Sequence, residues 1–296
     1  MAQVFLITGA STGFGALAAR ALARSGHTVF AGMYSHDGKT KQHEDAASSF
    51  AKEHKADLRT VSLNLLDEAS VASAVKQIHD QTGKLDSIVH NAGHMNFGPA
   101  EAFTPAQYLR MYDINVIGCQ RLNQAALPAM RKQRSGHLIW ISSSSVYGAE
   151  SPMLGPYFAA KAGMDSLAHT YAHELNPWGI ETTIVMPGVF TGTNHFQDAA
   201  KPGVPEVAKE YEDGPTKGMS EQTMSGTASI PPPDAHPSLV ADALLELAAK
   251  PRGQKPFRVY VDPGQDGCDL VAPLVDRMGN DFYRRLGLEN VTTVSL

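Results

Sequence analysis

What this chain lacks narrows its class. It has only two cysteines in 296 residues, Cys119 and Cys268, far apart and without metal-like neighbours. No disulfide framework follows from such a pair, and unpaired thiols in a reducing, cytoplasmic setting are expected. No apolar stretch approaches the ~18 residues that suggest a membrane span, so no membrane partner is expected. Cations are not in excess either: 25 Lys and Arg stand against 30 Asp and Glu, a net charge of −5. That balance offers no basic surface to nucleic acid. The opening "MAQVFLITGA" runs directly into a strand-length apolar segment without a charged leader, so no secretory signal is expected. Histidine is plentiful at 12, and His169 and His173 stand at i and i+4, but no third ligand lies at a recognisable spacing. The pair reads as polar residues on the outer face of a helix, and no metal site is expected.

What is present suffices for a large core, with 43% hydrophobic and 19% charged residues. Apolar, β-branched runs recur at 4–8, 28–33, 58–64, 86–93, 137–144, 181–188 and 257–262. Stretches of helical periodicity separate them, including "FGALAARALARSG" and "PAQYLRMYDINVIGCQRLNQAALPAMRKQ". This alternation predicts an α/β fold, a doubly wound and mostly parallel seven-stranded sheet with helices on both faces. Residues 191–237 break the rhythm with a polar, Gly- and Pro-rich excursion too long for an ordinary connection. No repeat and no second core-sized region follows, so 1–296 reads as one domain, with 191–236 as a candidate lid over the site.

Chemistry-bearing residues collect where the strands of such a sheet end. The first strand runs into "TGASTGFG" at 8–15, whose Gly9, Gly13 and Gly15 permit a tight turn and close approach of a pyrophosphate to a helix N-terminus. Later strands end at Asn64, in "NAG" at 91–93, in serines 142–145 and in "PG" at 187–188, and Asn115 interrupts a helical stretch. Tyr157 and Lys161 lie four apart at a helix start, close enough to share one small volume. A free phenol is a poor acid at neutral pH, with a pKa of about 10, and a fixed cation beside it favours its ionisation.

In this order, these elements resemble the short-chain dehydrogenase/reductase family in its single-domain branch, over roughly the first 190 residues. The resemblance implies an NAD(P)-dependent oxidoreductase that moves a hydride between nicotinamide and a carbonyl or secondary alcohol. Tyr157 would be the general acid and base, and Lys161 would lower its pKa and bind the nicotinamide ribose. Asn115 would order a water relay. The family's usual serine-to-tyrosine distance of thirteen selects Ser144 to hold the substrate oxygen, whereas its glycine three places after the serine selects Ser145, ahead of Gly148. The distance is preferred, because the two hydroxyls must meet on one oxygen.

By the same resemblance the dinucleotide is held by Gly9, Ser11, Thr12, Gly13, Phe14, Gly15, Tyr34, Asn64, Leu65, Asn91, Ala92, Gly93, Tyr157, Lys161, Pro187, Gly188, Phe190 and Thr191, with Thr193 bracketing the last position. The pocket beyond it would be lined by His94, Met95, Tyr147 and Leu154. At the end of the second strand Gly32 stands where an NAD-preferring member carries aspartate, and Met33 and Tyr34 where an NADP-preferring member carries arginine. Without an acidic blocker, and with Ser35, His36, Lys39 and Lys41 nearby, NADP(H) is favoured and NAD(H) tolerated. The family also implies a homodimer or homotetramer. Two other readings stand beside this one. "SSSSVYG" resembles sugar-nucleotide epimerases and dehydratases, although the serine–tyrosine spacing and short tail argue against them. A non-catalytic NAD(P) sensor on the same fold is the other, and it has no need of the joint Asn–Ser–Tyr–Lys set.

Overall fold

The computed structural model describes residues 2–34, 38, 40–193 and 195–296. Seven strands form one sheet: β1 (Val4–Ile7), β2 (Thr28–Met33), β3 (Leu58–Ser62), β4 (Ser87–His90), β5 (Gly136–Ile141), β6 (Ile180–Pro187) and β7 (Arg258–Val261). All pairings are parallel, in the order β3-β2-β1-β4-β5-β6-β7. Strand order reverses between β1 and β4, and ligands of open α/β sheets bind at such a switch point.

Successive side chains of a strand point to opposite faces, and the apolar runs use both. On one face Phe5, Ile7, Val29, Ala31, Val89 and Ile139 pack on α1 (Gly13–Arg24), α2 (Thr40–His54) and α9 (Ser238–Ala249). On the other, Leu6, Phe30, Ile88, Leu138, Trp140 and Ile184 pack on α3 (Glu68–Thr82), α5 (Gly118–Gln133), α6 (Gly155–Leu175) and α10 (Cys268–Arg285). Burial on both faces explains why the strands read as continuous apolar runs rather than alternating ones.

The single long helix expected around Asn115 is divided. α4 (Pro105–Tyr112) begins at a capping box of Thr104 and Gln107 with Pro105 in its first turn, and a π-helical turn over Asp113–Ile117 joins it to α5. Such a turn inserts a residue into the helical ladder and recurs at functional sites. The third strand stops at Ser62, short of Asn64, whose Oδ1 instead accepts from Leu66 N in the following turn.

The histidine pair does not occupy an outer helix face. His173 is buried, its Nδ1 is 2.8 Å from the carbonyl of His169, and its ring stacks on Tyr283 at 4.1 Å. The reason is α10, which covers this side of α6 and which the polar character of the pair did not reveal. Among the described residues no group of His, Cys, Asp or Glu could hold a metal ion, and both cysteines are buried and free. No described helix is long and apolar enough to cross a membrane.

The excursion after β6 is folded rather than a bare loop, with α7 (Pro205–Asp213) and α8 (Met219–Ser229) inside it. It is fastened to the segment after β4. Ala200 N donates to Met95 O at 2.8 Å and Phe97 N to Ala200 O at 3.0 Å. Gln107 then takes Gly203 N on its Oε1 and gives its Nε2 to Lys201 O, each at 2.9 Å.

Candidate active site

Beyond the carboxyl ends of the strands lies a cavity of about 750 Å³. Its floor is the turn between β1 and α1. Gly9 and Gly13 have φ of +63° and +54°, values that cost a side chain strain and glycine none. A Cβ on Gly9 would stand 2.7 Å from Ala92 Cα, so the turn after β4 can close on this one only over glycine. Asn91 ties the two turns by giving Nδ2 to Thr8 O at 2.9 Å and to Gly9 O at 3.1 Å. Thr8 Oγ1 accepts the backbone N–H groups of Asn91 and Ala92 at 3.0 and 2.9 Å.

This cradle fits a dinucleotide. Helix α1 starts without a side-chain cap, leaving first-turn N–H groups and the positive end of its dipole for an anion. Ser11 Oγ is buried without a partner in the same turn. Among the residues expected to hold the cofactor, Gly9, Ser11, Thr12, Gly13, Phe14, Tyr34, Asn64 and Leu65 all line the cavity. So do Asn91, Ala92, Gly93, Tyr157, Lys161, Pro187, Gly188 and Phe190. Gly15 and Thr191 do not. Gly15 is a packing glycine, because a Cβ there would collide with the side chain of Asn91 and the carbonyl of Gly9. Thr193, rather than Thr191, faces the cavity. Gly32 does not line it: a Cβ at that position would meet Leu63 at 2.7 Å and the carbonyl of Ile7 at 3.0 Å. The side chain that reaches the cavity from the end of β2 is Tyr34. Lys41 pairs with Asp45 at 2.6 Å on exposed α2, and Ser35, His36 and Lys39 lie outside the described residues.

At the other end of the cavity Tyr157 opens onto it from the first turn of α6, with its backbone N–H on Asn96 Oδ1 at 2.7 Å. The serine that meets the phenol is Ser143. It lines the cavity beside Tyr157 and its side chain acts to lower the phenol's pKa, while its own Oγ lies 2.8 Å from Ser145 Oγ. Ser144, which the spacing selects, turns away from the cavity and donates to Asp266 Oδ2 at 2.8 Å. Three consecutive serines on a tight turn point in different directions, and the serine on the phenol stands fourteen residues before Tyr157. The turn is braced from below, where Ser142 Oγ donates to Asp165 Oδ1 at 3.0 Å and Asp165 is held by buried Arg258 at 2.8 Å.

Burial dominates the electrostatics here. It pushes the Tyr157 phenol up to about 12, with the Ser143 side chain acting in the opposite sense. Burial also brings Lys161 down to about 8. The expected lowering of Tyr157 by Lys161 is therefore absent. The ammonium donates to Ile141 O at 2.7 Å and sits 5.9 Å from the centre of the phenol ring. Asn115, in the π-helical turn, gives Nδ2 to Met111 O at 3.0 Å and to His94 O at 3.3 Å, while its buried Oδ1 has no partner.

His94, Met95 and Leu154 line the cavity beyond the phenol, as expected, but Tyr147 does not. Its hydroxyl donates to Asp165 at 3.3 Å and its ring lies under Arg258. The excursion supplies residues that no motif identified. His195 sits edge-on to Tyr157 at 5.6 Å, held near 4 by burial and by the charge of Lys161, so its ring is neutral at physiological pH. Asp266 reaches the cavity from the segment after β7.

A short chain dehydrogenase family model matches residues 3–202, two thirds of the sequence and every element that builds the cofactor cradle. The chain belongs to the short-chain dehydrogenase/reductase family. It is an oxidoreductase of that family, and its relatives carry dehydrogenase and reductase names. One, a 3-ketodihydrosphingosine reductase of Bacteroides thetaiotaomicron, is 30% identical over 88% of each chain. An oxidoreductase of Botryotinia fuckeliana is 28% identical over 97% of this chain and 99% of its own. Among solved structures, a short-chain dehydrogenase from Streptomyces avermitilis superposes with a TM-score of 0.74 at 26% identity, covering 97% of this chain and 98% of that one. An alcohol dehydrogenase from Thermococcus sibiricus, solved with 5-hydroxy-NADP, gives 0.67 at 25% identity over 88% of this chain and 96% of that one.

Proposed function

We propose that the chain interconverts a carbonyl and an alcohol, with Tyr157 as general acid and base, Ser143 holding the reacting oxygen and Lys161 and Asn115 behind them. The observation that carries this reading is the placement of Ser143, Tyr157 and Lys161 together in the lining of the cavity whose floor is the glycine cradle. A bound nicotinamide dinucleotide supplies or accepts the hydride, and the cradle residues would hold it. In reduction the carbonyl oxygen accepts hydrogen bonds from Ser143 and Tyr157, and the phenol passes its proton to that oxygen as the carbon receives the hydride. In oxidation the same proton returns to Tyr157. A phenol pushed up to about 12 is fully protonated at neutral pH, which suits the reductive direction. Lys161, still mostly cationic at neutral pH with a pKa of about 8, offsets the phenolate left behind. The unpartnered Oδ1 of Asn115 is available for a water behind the lysine, a route for returning the proton.

NADP(H) is favoured over NAD(H), since Gly32, Met33 and Tyr34 at the end of β2 include no carboxylate that would repel a 2′-phosphate. The segment 191–236 acts as a lid, because its residues His195, Phe196, Thr227 and Ile230 all line the cavity.

Tyr157→Phe tests the central role. It keeps the ring and removes the proton, so turnover should fall by roughly 10²–10⁴-fold while dinucleotide binding is unchanged. Near-normal turnover in this variant would remove Tyr157 from the chemistry.

A further inference from the structure

A second cavity, of about 490 Å³, adjoins the catalytic one. The two share Glu150, Ser151, Pro152 and Phe158 as a common wall. Phe158 follows the reactive tyrosine directly, and the two rings are 5.8 Å apart. Beyond that wall the lining turns mostly apolar, with Pro99, Ala100, Met153, Ala159, Ala162 and Met219. The excursion contributes through Met219 of α8 and Tyr211 of α7, so the same segment that covers the catalytic cavity also roofs the second.

Charge narrows the ligand further. Among the described lining residues of both cavities Lys161 is the only lysine or arginine, and it is committed to the reaction centre. Glu150 lies in the shared wall, and Asp198 and Asp266 line the catalytic cavity. His195 adds no compensating charge, since burial and Lys161 keep it neutral. A carboxylate or phosphate on the substrate would meet these acids, of which Glu150 and Asp198 are exposed, and no lysine or arginine besides Lys161.

We propose that the substrate is an elongated, non-anionic ketone or secondary alcohol whose apolar tail crosses Phe158 into the second cavity. This rests on the carbonyl chemistry assigned to Tyr157, and it adds the length and charge of the molecule that chemistry acts on. Each buried methylene contributes about 0.8 kcal/mol, or roughly fourfold in affinity. Tail length should therefore control kcat/KM until the second cavity is filled.

The test uses the purified full chain with NADPH and a series of straight-chain methyl ketones from butanone to dodecanone. Efficiency should climb about fourfold per methylene over part of the series and then level off. At equal length, a terminal carboxylate should cost at least about tenfold relative to a neutral end, the effect of ~1.4 kcal/mol. Ala162→Trp, on an exposed position of α6, fills the second cavity and should lower efficiency on dodecanone while sparing butanone. A flat length profile, or equal losses on both ketones, would overturn the proposal. A parallel arm needs no turnover: dodecanol should raise the Tm of the wild-type chain, and much less that of Ala162→Trp. If no ketone is reduced, the carbonyl chemistry fails, and the dodecanol shift alone decides the tail seat. An equal shift in both proteins, or none in either, would reject that seat.

Discussion

The two ends of the cavity are built on different principles. At the dinucleotide end, positions are set by backbone approach: the turns after β1 and β4 close on each other at Gly9, and Asn91 bonds main-chain carbonyls rather than other side chains. At the substrate end, His94, Ser143, Tyr157, His195, Ile230 and Asp266 converge from well-separated segments, fastened by a small number of hydrogen bonds. The first end has little freedom to change, because a Cβ on Gly9 or Gly15 would meet backbone. The second can be re-lined one residue at a time while the sheet below stays as it is. One surface is therefore fixed by backbone and the other by side chains.

The sharpest way to break this contrast is at its seam, the serine turn. Ser143→Ala removes a donor to the reacting oxygen and should cost about 10²–10³-fold in kcat, as loss of an oxyanion donor does. Ser144→Ala should cost far less in kcat, and appear instead as a lower Tm from losing a buried bond to a carboxylate, about 1.5–3 kcal/mol. The reverse ranking in steady-state kinetics would restore Ser144 to the oxygen.

At the cofactor end the expected effect is smaller. Tyr34→Arg places a guanidinium at the cavity mouth and should raise the NADP(H)-to-NAD(H) efficiency ratio by about tenfold, the size of one charge-assisted bond. A ratio that does not move would mean that the 2′-position lies away from residue 34. Smallest of all should be the response of the lid. Hydrogen exchange in 191–236 should slow severalfold when cofactor and substrate are both present. Unchanged exchange throughout that segment would make it a fixed wall.

How much of this was legible in the sequence follows the same division. All seven strands and the cradle residues were readable because their requirements are local: a glycine where φ is positive, an apolar run where both faces are covered. Ser143 was not. Both the distance to Tyr157 and the offset to Gly148 presume a turn of standard length, and this turn holds four serines in a row. Gly148 is glycine for another reason, since a Cβ there would lie 2.9 Å from the carbonyls of Asp266 and Ser144. Gly32 likewise has a packing reason to be glycine, since a Cβ there would meet Leu63 at 2.7 Å. His195, Asn96 and the burial of His173 depend on contacts between distant segments, for which a single chain carries no periodic signal.

The bond between Ser144 and Asp266 joins residues 122 positions apart and crosses from the middle of the chain to its last segment. Ala149 N on Asp266 O, at 3.1 Å, makes the same crossing. The serine turn thus depends on a segment far along the chain, whereas the turns after β1 and β4 are tied to each other directly through Asn91 and Thr8. A lesion in the segment after β7 would loosen the serine turn while leaving the bonds between Asn91, Thr8 and Gly9 in place. Damage near the carboxyl terminus is then felt in the middle of the chain, at the serines.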